Sequence, residues 1–333
     1  FKQKTAYEIR LSLVGSEMCI RDSNCDIAQE GLTSGNAYDN GFRKSYKVTN
    51  GDNNADTDDQ SKINHLIEAQ DLTNSGWNHK SASSYATLSF WVKSSVAQTF
   101  PVAIYAEDAN MGYGFEYSAT TSWTRITHSI PGHASLGINN DNGTGFNIQW
   151  YLYMGTDLTA SSFTNSDWHT YNSSSRSKDI TTTWQTTNDA TFEITGVQLE
   201  VGSTATAFEH RSFGDELSLC ERYYQIIMED STGGGGHTGG VGGTPYTNSS
   251  SVYCPILFRC RMRSEPTLES TASSTFRTRF GNTANFNGFS GFNDAGDHSA
   301  TIITNGNAGG GNIGQYIWVE TNSGAKVAMT ADL

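Results

Sequence analysis

Trp77, Tyr105, Tyr113, Tyr117, Trp123, Tyr151 and Tyr153 are the side chains whose type best fits a recognisable chemistry, the stacking of sugar rings. Saccharides present apolar C–H faces that lie flat on aromatic rings, while Asn, Gln and Asp bind their hydroxyls. Tyr151 and Tyr153 share a parity opposite to Trp150 and Leu152, so on a strand they face away from the core those two enter. The competing reading is that the same rings simply pack a core. Asp52, Asp56, Asp58 and Asp59 supply hard oxygen ligands of the kind calcium takes. Their spacing lacks the Gly and Glu of an EF-hand loop, which favours a solvated acidic loop. Gly234 to Gly239 formally fit GxGxxG. A phosphate site needs a strand before that motif and a helix after it, whereas Pro245 and a polar run follow here. A flexible contact loop is the better reading. His65, His79, His128, His133 and His169 form no HExxH pattern and no triad order. No carboxylate pair stands out for glycoside cleavage. No catalytic residue is assigned.

The elements that must carry these side chains are strands. Leu88, Phe90 and Val92 alternate with Ser89, Trp91 and Lys93; Phe100, Val102 and Ile104 alternate with Pro101, Ala103 and Tyr105. Ile148, Trp150, Leu152 and Met154 alternate with Gln149, Tyr151 and Tyr153. Such runs between polar turns predict a sandwich with one face of each sheet buried. Weaker strands are expected at 46–48 and 63–67, with an acidic turn-rich loop at 51–59 between them. In 192–201 the apolar phase changes at Gly196, from Phe192 and Ile194 to Val197, Leu199 and Val201, which predicts a β-bulge. A short helix capped by Asp215 follows, giving way to a strand near 224–228.

A second, smaller β unit is expected beyond it. It opens on the Gly-rich segment 233–243 and continues with a strand at 252–263 whose even positions, Val252 to Met262, face one side. Pro255 marks that strand as an edge or a bulge. Further strands are expected at 276–280, 301–304, 316–320 and 326–330. Cys254 and Cys260 lie too far apart along an extended strand to bridge, and read as small core residues.

Composition agrees with this class. The chain has 333 residues, with 34 glycines against 5 prolines and 5 cysteines, too few cysteines for a disulfide scaffold. Its net charge of −13 argues against nucleic acid and against an anionic membrane surface as partners. No apolar run is long enough to span a bilayer as a helix.

Two resemblances bear on the reading. Lys2-Gln3-Lys4-Thr5-Ala6-Tyr7-Glu8-Ile9 and Leu13 to Ser23 resemble, in one frame, the translation of a sequencing adapter and its transposon partner. Residues 1–23 are therefore expected to be an adapter-derived, disordered artefact on a truncated metagenomic gene. The second resemblance rests on Thr87-Leu88-Ser89-Phe90-Trp91-Val92-Lys93, on Thr121-Ser122-Trp123 and on Pro131-Gly132. Its more specific block is Ile194-Thr195-Gly196-Val197-Gln198-Leu199-Glu200-Val201-Gly202, then Thr206-Ala207-Phe208-Glu209-His210-Arg211-Ser212 and Glu216 to Gln225. These blocks, with Met262 to Thr267 and the final Thr330-Ala331-Asp332-Leu333, resemble marine phage and prophage tail-fibre proteins bearing a jelly-roll domain like a carbohydrate-binding module. The resemblance implies an all-β chain: a jelly-roll β-sandwich over 24–212, a connector helix and strand over 213–229, and a smaller β domain over 230–333. It implies a non-enzymatic virion protein that binds host-surface glycan or builds the fibre, with other virion proteins as partners and a homo-oligomeric, trimeric assembly. No cofactor is needed, with calcium the one candidate. The alternatives are the binding portion of a polysaccharide depolymerase or glycanase, and a secreted sugar-binding protein.

Overall fold

A computed structural model describes residues 6–7, 16–21, 25–51, 54–229, 240–245, 251–270, 276–280, 282–305, 315–321 and 325–331. The chain divides into two compact units, the first running to His210 and the second from Arg211. No helix among the described residues is long and apolar enough to cross a membrane.

In chain order the first unit contains β1 (Ala6–Tyr7), β2 (Ser16–Arg21), β3 (Cys25–Gly31), α1 (Asn36–Asp39), β4 (Lys44–Asn50), β5 (Gln60–Glu68), α2 (Ala69–Thr73) and β6 (Tyr85–Ser94). It continues with β7 (Gln98–Ala106), β8 (Met111–Ala119), β9 (Thr124–Pro131), β10 (Thr144–Met154), β11 (His169–Thr170) and β12 (Thr191–Val201). One sheet has the order β3-β4-β12-β6-β9, with β1 also on β12; the other has the order β11-β8-β7-β10-β5-β2. Successive strands pass from one sheet to the other, from β4 to β5, back to β6, and on to the β7–β8 hairpin. This is a sandwich, as the alternating runs predict, with the jelly-roll form that the resemblance implies.

The alternation places the core. Leu88, Phe90 and Val92 from one sheet meet Phe100, Val102, Ile104, Phe146, Ile148 and Trp150 from the other in a single buried cluster. Burying each such side chain is worth about 1.5–3 kcal/mol. The expected bulge is present: Gly196 has φ +59°, and the β12–β6 register shifts between Thr195 and Gln198. The Phe42 ring fills the space a Cβ would need there. The slip turns Val197 and Leu199 into the core that Phe192 and Ile194 already enter.

The disorder expected of residues 1–23 is not matched in their described parts. Ala6 and Tyr7 pair with Glu200 and Leu199, and β2 pairs with β5 from Ser16↔His65 to Arg21↔Gln60. An uncovered sheet edge offers backbone donors and acceptors to any extended segment, whatever its side chains.

The second unit contains α3 (Phe213–Glu221), β13 (Tyr224–Glu229), β14 (Gly240–Pro245), β15 (Val252–Leu257), β16 (Thr267–Ser270) and β17 (Phe276–Phe280). It ends with β18 (Asn282–Phe286), β19 (Phe289–Asn293), β20 (Ser299–Thr304), β21 (Ile317–Thr321) and β22 (Lys326–Thr330). A sheet of order β18-β17-β21-β14-β15-β20-β19 and one of order β13-β22-β16 share a core of Met228, Cys254, Phe276, Ile302, Val319 and Val327.

Three details differ from the sequence reading. Ser212, not Asp215, caps α3: its hydroxyl accepts from the Asp215 amide, because a cap must precede the first helical turn. The strand expected over 252–263 stops at Leu257, and only Val252, Cys254 and Ile256 line the core in its register. Pro255 sits where β15 pairs only with β20, since its pairing with β14 covers Val252 and Tyr253. The last glycines of the 233–243 segment form β14 rather than a loop; the GxGxxG residues lie outside the described residues.

Candidate functional site

Strand register places side chains on the outer face of the β11-β8-β7-β10-β5-β2 sheet in rows. Tyr105 lies opposite Gly112 and Asn147; Ala103 lies opposite Gly114 and Gln149; Asn64 lies opposite Gln149. Gly112 and Gly114 leave the outer face of β8 bare, and the segment from β10 to β12 folds over it. The Phe163 ring comes within 2.9 Å of where a Gly114 Cβ would sit, and the His169 imidazole within 2.8 Å of the same point on Gly112. Leu158 and Ile180 pack on Ala103, Tyr151 and Met154, making a small second core on this face.

The end of the face keeps an aromatic pair. Tyr105 and Tyr171 have ring centroids 4.0 Å apart at 30°, and both rings stay half-buried. Asn110 ties them together: its Oδ1 accepts from the Tyr105 hydroxyl at 3.4 Å, and its carbonyl accepts from the Tyr171 amide at 2.9 Å. Asn147, cross-strand neighbour of Tyr105, has a buried Oδ1 with no hydrogen-bond partner among the described residues. The Asn64 Oδ1, further along the face, has none either. The Asp108 carboxylate next door accepts from the Asn139 amide at 2.9 Å and from its Nδ2 at 2.6 Å. Burial, then the charges of Glu107 and Tyr171, raise the Tyr105 hydroxyl pKa, and burial with nearby Asp108 raises that of Glu107. The arrangement offers ring faces, amide acceptors and a hydroxyl donor. That is equipment for holding a polyhydroxylated ring.

Most of the aromatic residues picked out in the sequence lie elsewhere. Trp77 is buried edge-on against Phe146, with centroids 5.8 Å apart. Tyr113 is buried; its hydroxyl meets His128 Nε2 at 2.9 Å, and burial pushes its pKa up to about 12. Tyr117 is buried against Phe90. Trp123 packs with Leu32, Ala37, Phe42 and Trp91 on the opposite sheet's outer face, under the Lys93 ammonium. Tyr151 is fully buried beneath Leu158 and Ile180, and Tyr153 is buried with its hydroxyl on the Asp56 carbonyl at 2.9 Å. Tyr151 does face away from the main core, as its parity says, but the covering segment closes that face. Only Tyr105 of the set belongs to the site. Tyr171, Asn110 and Asn147 were missed. Asn147 shares the outward parity of Gln149 and Tyr151, whereas Tyr171 sits in an irregular segment that carries no periodic signal.

The described residues of the acidic loop do not gather a cation site. Among the described residues no three His, Cys, Asp or Glu side chains converge on a metal position. Asp59 is buried and accepts from the Asp56 amide at 3.2 Å, Asp56 accepts from Asn54 Nδ2 at 2.7 Å, and Asp58 is exposed. Asp52 lies outside the described residues.

Carboxylates on the outer face of the opposite sheet hold the chain in place. Glu193 meets the Lys93 ammonium at 2.7 Å and the Ser45 hydroxyl at 2.9 Å. Glu200 accepts from Gln198 Nε2 at 2.9 Å, the Thr206 amide at 2.7 Å and the Thr206 hydroxyl at 2.7 Å. Gln198 Oε1 accepts from the Glu209 amide at 3.0 Å. The outward-facing Gln and Glu of the Gln198-Leu199-Glu200 block thus clamp residues 206–209 along the sheet.

No protein-family model matches the chain, and no curated protein matches it. Solved structures do. The chain is similar to the family 11 carbohydrate-binding module of the cellulosomal cellulase Lic26A-Cel5E of Clostridium thermocellum, at 11% identity over 62% of this chain and 98% of that one, with a TM-score of 0.32. It is similar to the enzymatically active domain of tailspike protein 4 of bacteriophage CBA120, at 7% identity over 57% of this chain and 20% of that one, with a TM-score of 0.33. A third is the CBM22-1 xylan-binding domain of Paenibacillus barcinonensis Xyn10C, at 8% identity over 56% and 87%, with a TM-score of 0.28. Likenesses at these scores carry no argument about ligand or activity; the chemistry of the site rests on its own geometry.

Proposed function

We propose that the protein is a non-enzymatic saccharide-binding component of a phage tail fibre, and that it holds host-surface glycan against Tyr105 and Tyr171. The carrying observation is the aromatic pair on the outer sheet face beside Asn147, whose buried carbonyl oxygen has no partner among the described residues. A buried acceptor left unpaired costs about 1–3 kcal/mol, which a sugar hydroxyl recovers when the half-buried Asn147 side chain turns its oxygen out to meet it. The tail-fibre assignment is supported by the sequence blocks around Gln198-Leu199-Glu200 and Thr206 to Ser212, which the sandwich uses as a clamp. It carries with it a homo-oligomeric assembly alongside other virion proteins.

A glycan array read with the full chain, with Tyr171→Ala and with Asn147→Ala tests the site. The wild type is expected to retain a defined glycan set, and each variant to lose about tenfold in affinity for it. Undiminished binding by both variants removes the site. No retained glycan removes the function. Analytical ultracentrifugation reads the assembly, and a monodisperse monomer counts against a fibre role.

A further inference from the structure

The second unit carries an unrelated surface with its own ligand chemistry. Core-facing Ile317 and Val319 leave Tyr316, Trp318 and Glu320 on the outer face of the large sheet. Register sets Trp318 beside Arg279, and Glu320 beside Arg277. On the other flank Trp318 lies opposite Gly242, and Glu320 opposite Gly240. Neither glycine offers a side chain, so the aromatic rings lie down on bare backbone: the Trp318 indole is 2.6 Å from where a Gly240 Cβ would stand, and the Tyr316 ring covers Gly242. Both rings remain open, Tyr316 at 61% and Trp318 at 40% exposure. They are large aromatics with no core to enter.

Among the described residues the charges beside them do not balance. The buried Glu320 carboxylate receives Nε of Arg277 and Nε of Arg279 on one oxygen, each at 2.9 Å. Two guanidiniums share one carboxylate through their Nε atoms. Among the described residues the buried Arg277 Nη2 has no acceptor, and Arg279 is 60% exposed. A donor without an acceptor and an uncompensated positive charge are both deficits that an anion fills. A planar carboxylate fits the guanidinium fork, and a pyranose ring fits the flat aromatic floor.

We propose that this face of the second unit binds a saccharide bearing a carboxylate, a uronate-type sugar, through Trp318 and Tyr316 as floor and Arg279 with Arg277 as the carboxylate clamp. The site is independent of the Tyr105–Tyr171 pair. A single-stranded nucleic acid also uses rings and arginines, but the net charge of −13 opposes a phosphate chain.

Affinity electrophoresis of the full chain in gels containing polygalacturonate tests the assignment, with fully methyl-esterified polygalacturonate as the uncharged control. Mobility is expected to fall in the acid gel and not in the ester gel. Arg279→Gln and Trp318→Ala are each expected to weaken retention about tenfold, while Tyr171→Ala leaves it unchanged. Both substituted residues are solvent-facing, so unchanged far-UV circular dichroism is expected of the variants. Equal retention by acid and ester gels overturns the carboxylate. Retention lost in Arg279→Gln but untouched in Trp318→Ala overturns the saccharide and leaves a bare anion contact. An oligothymidylate shifted as strongly as polygalacturonate overturns it in favour of nucleic acid. Retention that Tyr171→Ala abolishes transfers the binding to the first unit.

Discussion

Replacing Glu200 with Ala is expected to loosen the clamp that closes one outer face of the sandwich. Glu200 is 6% exposed, and its two oxygens accept from Gln198, the Thr206 amide and the Thr206 hydroxyl. The clamped segment carries Phe208 onto Phe42, with centroids 4.8 Å apart, and Phe42 in turn fills the space over Gly196. A hydrogen bond to a charged acceptor is worth about 1.5–3 kcal/mol net, and a donor left buried without one costs about 1–3 kcal/mol. The Thr206 hydroxyl can turn towards water, whereas the Thr206 backbone amide and the amide of the fully buried Gln198 cannot. Relief from burying a carboxylate offsets part of the loss. The expected net destabilisation is about 3 kcal/mol for Glu200→Ala and about 1 kcal/mol for Glu200→Gln, which keeps one acceptor. Every tryptophan except Trp318 lies in the first unit, so urea denaturation followed by tryptophan fluorescence reads that unit. Hydrogen exchange at the Thr206 and Glu209 amides reads the clamp itself. If Glu200→Ala stays within about 0.5 kcal/mol of wild type and the Thr206 amide keeps its protection, the clamp does not hold the segment and the reasoning fails.

Gly196→Ala forces a Cβ into a left-handed backbone conformation and against the Phe42 ring; a loss of about 2–3 kcal/mol in the same denaturation assay is expected. Gly114→Ala must lift Phe163 from the sheet, so cleavage of the 155–190 segment by a low dose of protease should quicken, with a stability loss of about 1–2 kcal/mol. Burial holds His65 and His128 down at about 4, and His65 Nδ1 has no partner. Their folded pKa values lie below the unfolded value of about 6.5, so the neutral rings stabilise the fold above that pH, and the contribution is lost as pH falls towards 4. The urea midpoint should therefore drop between about pH 6.5 and 4, at up to about 1.4 kcal/mol per unit for His65, and His65→Leu should flatten that slope; an unchanged slope removes the explanation.

What the sequence determined by itself was whatever depends on neighbours along the chain. Alternation of apolar and polar residues is a property of the strand period, so Leu88, Phe90 and Val92, and Phe100, Val102 and Ile104, could be assigned to a core before any sheet was seen. The phase change at Gly196 marked the bulge because one residue type alone tolerates φ +59° against a covering ring. Parity could also say that Tyr151 faces away from Trp150. It could not say what lies over it. Leu158 and Ile180 come from an irregular segment with no period, and only its path across the sheet turns Tyr151 into a buried residue. The same segment brings Tyr171 onto Tyr105, making a half-exposed aromatic pair from residues 66 positions apart. In the second unit, Trp318 and Tyr316 became a platform only because β14 lays glycines beside them. Exposure is decided by what crosses a face, and that is settled by contacts remote in sequence, which tertiary structure alone supplies.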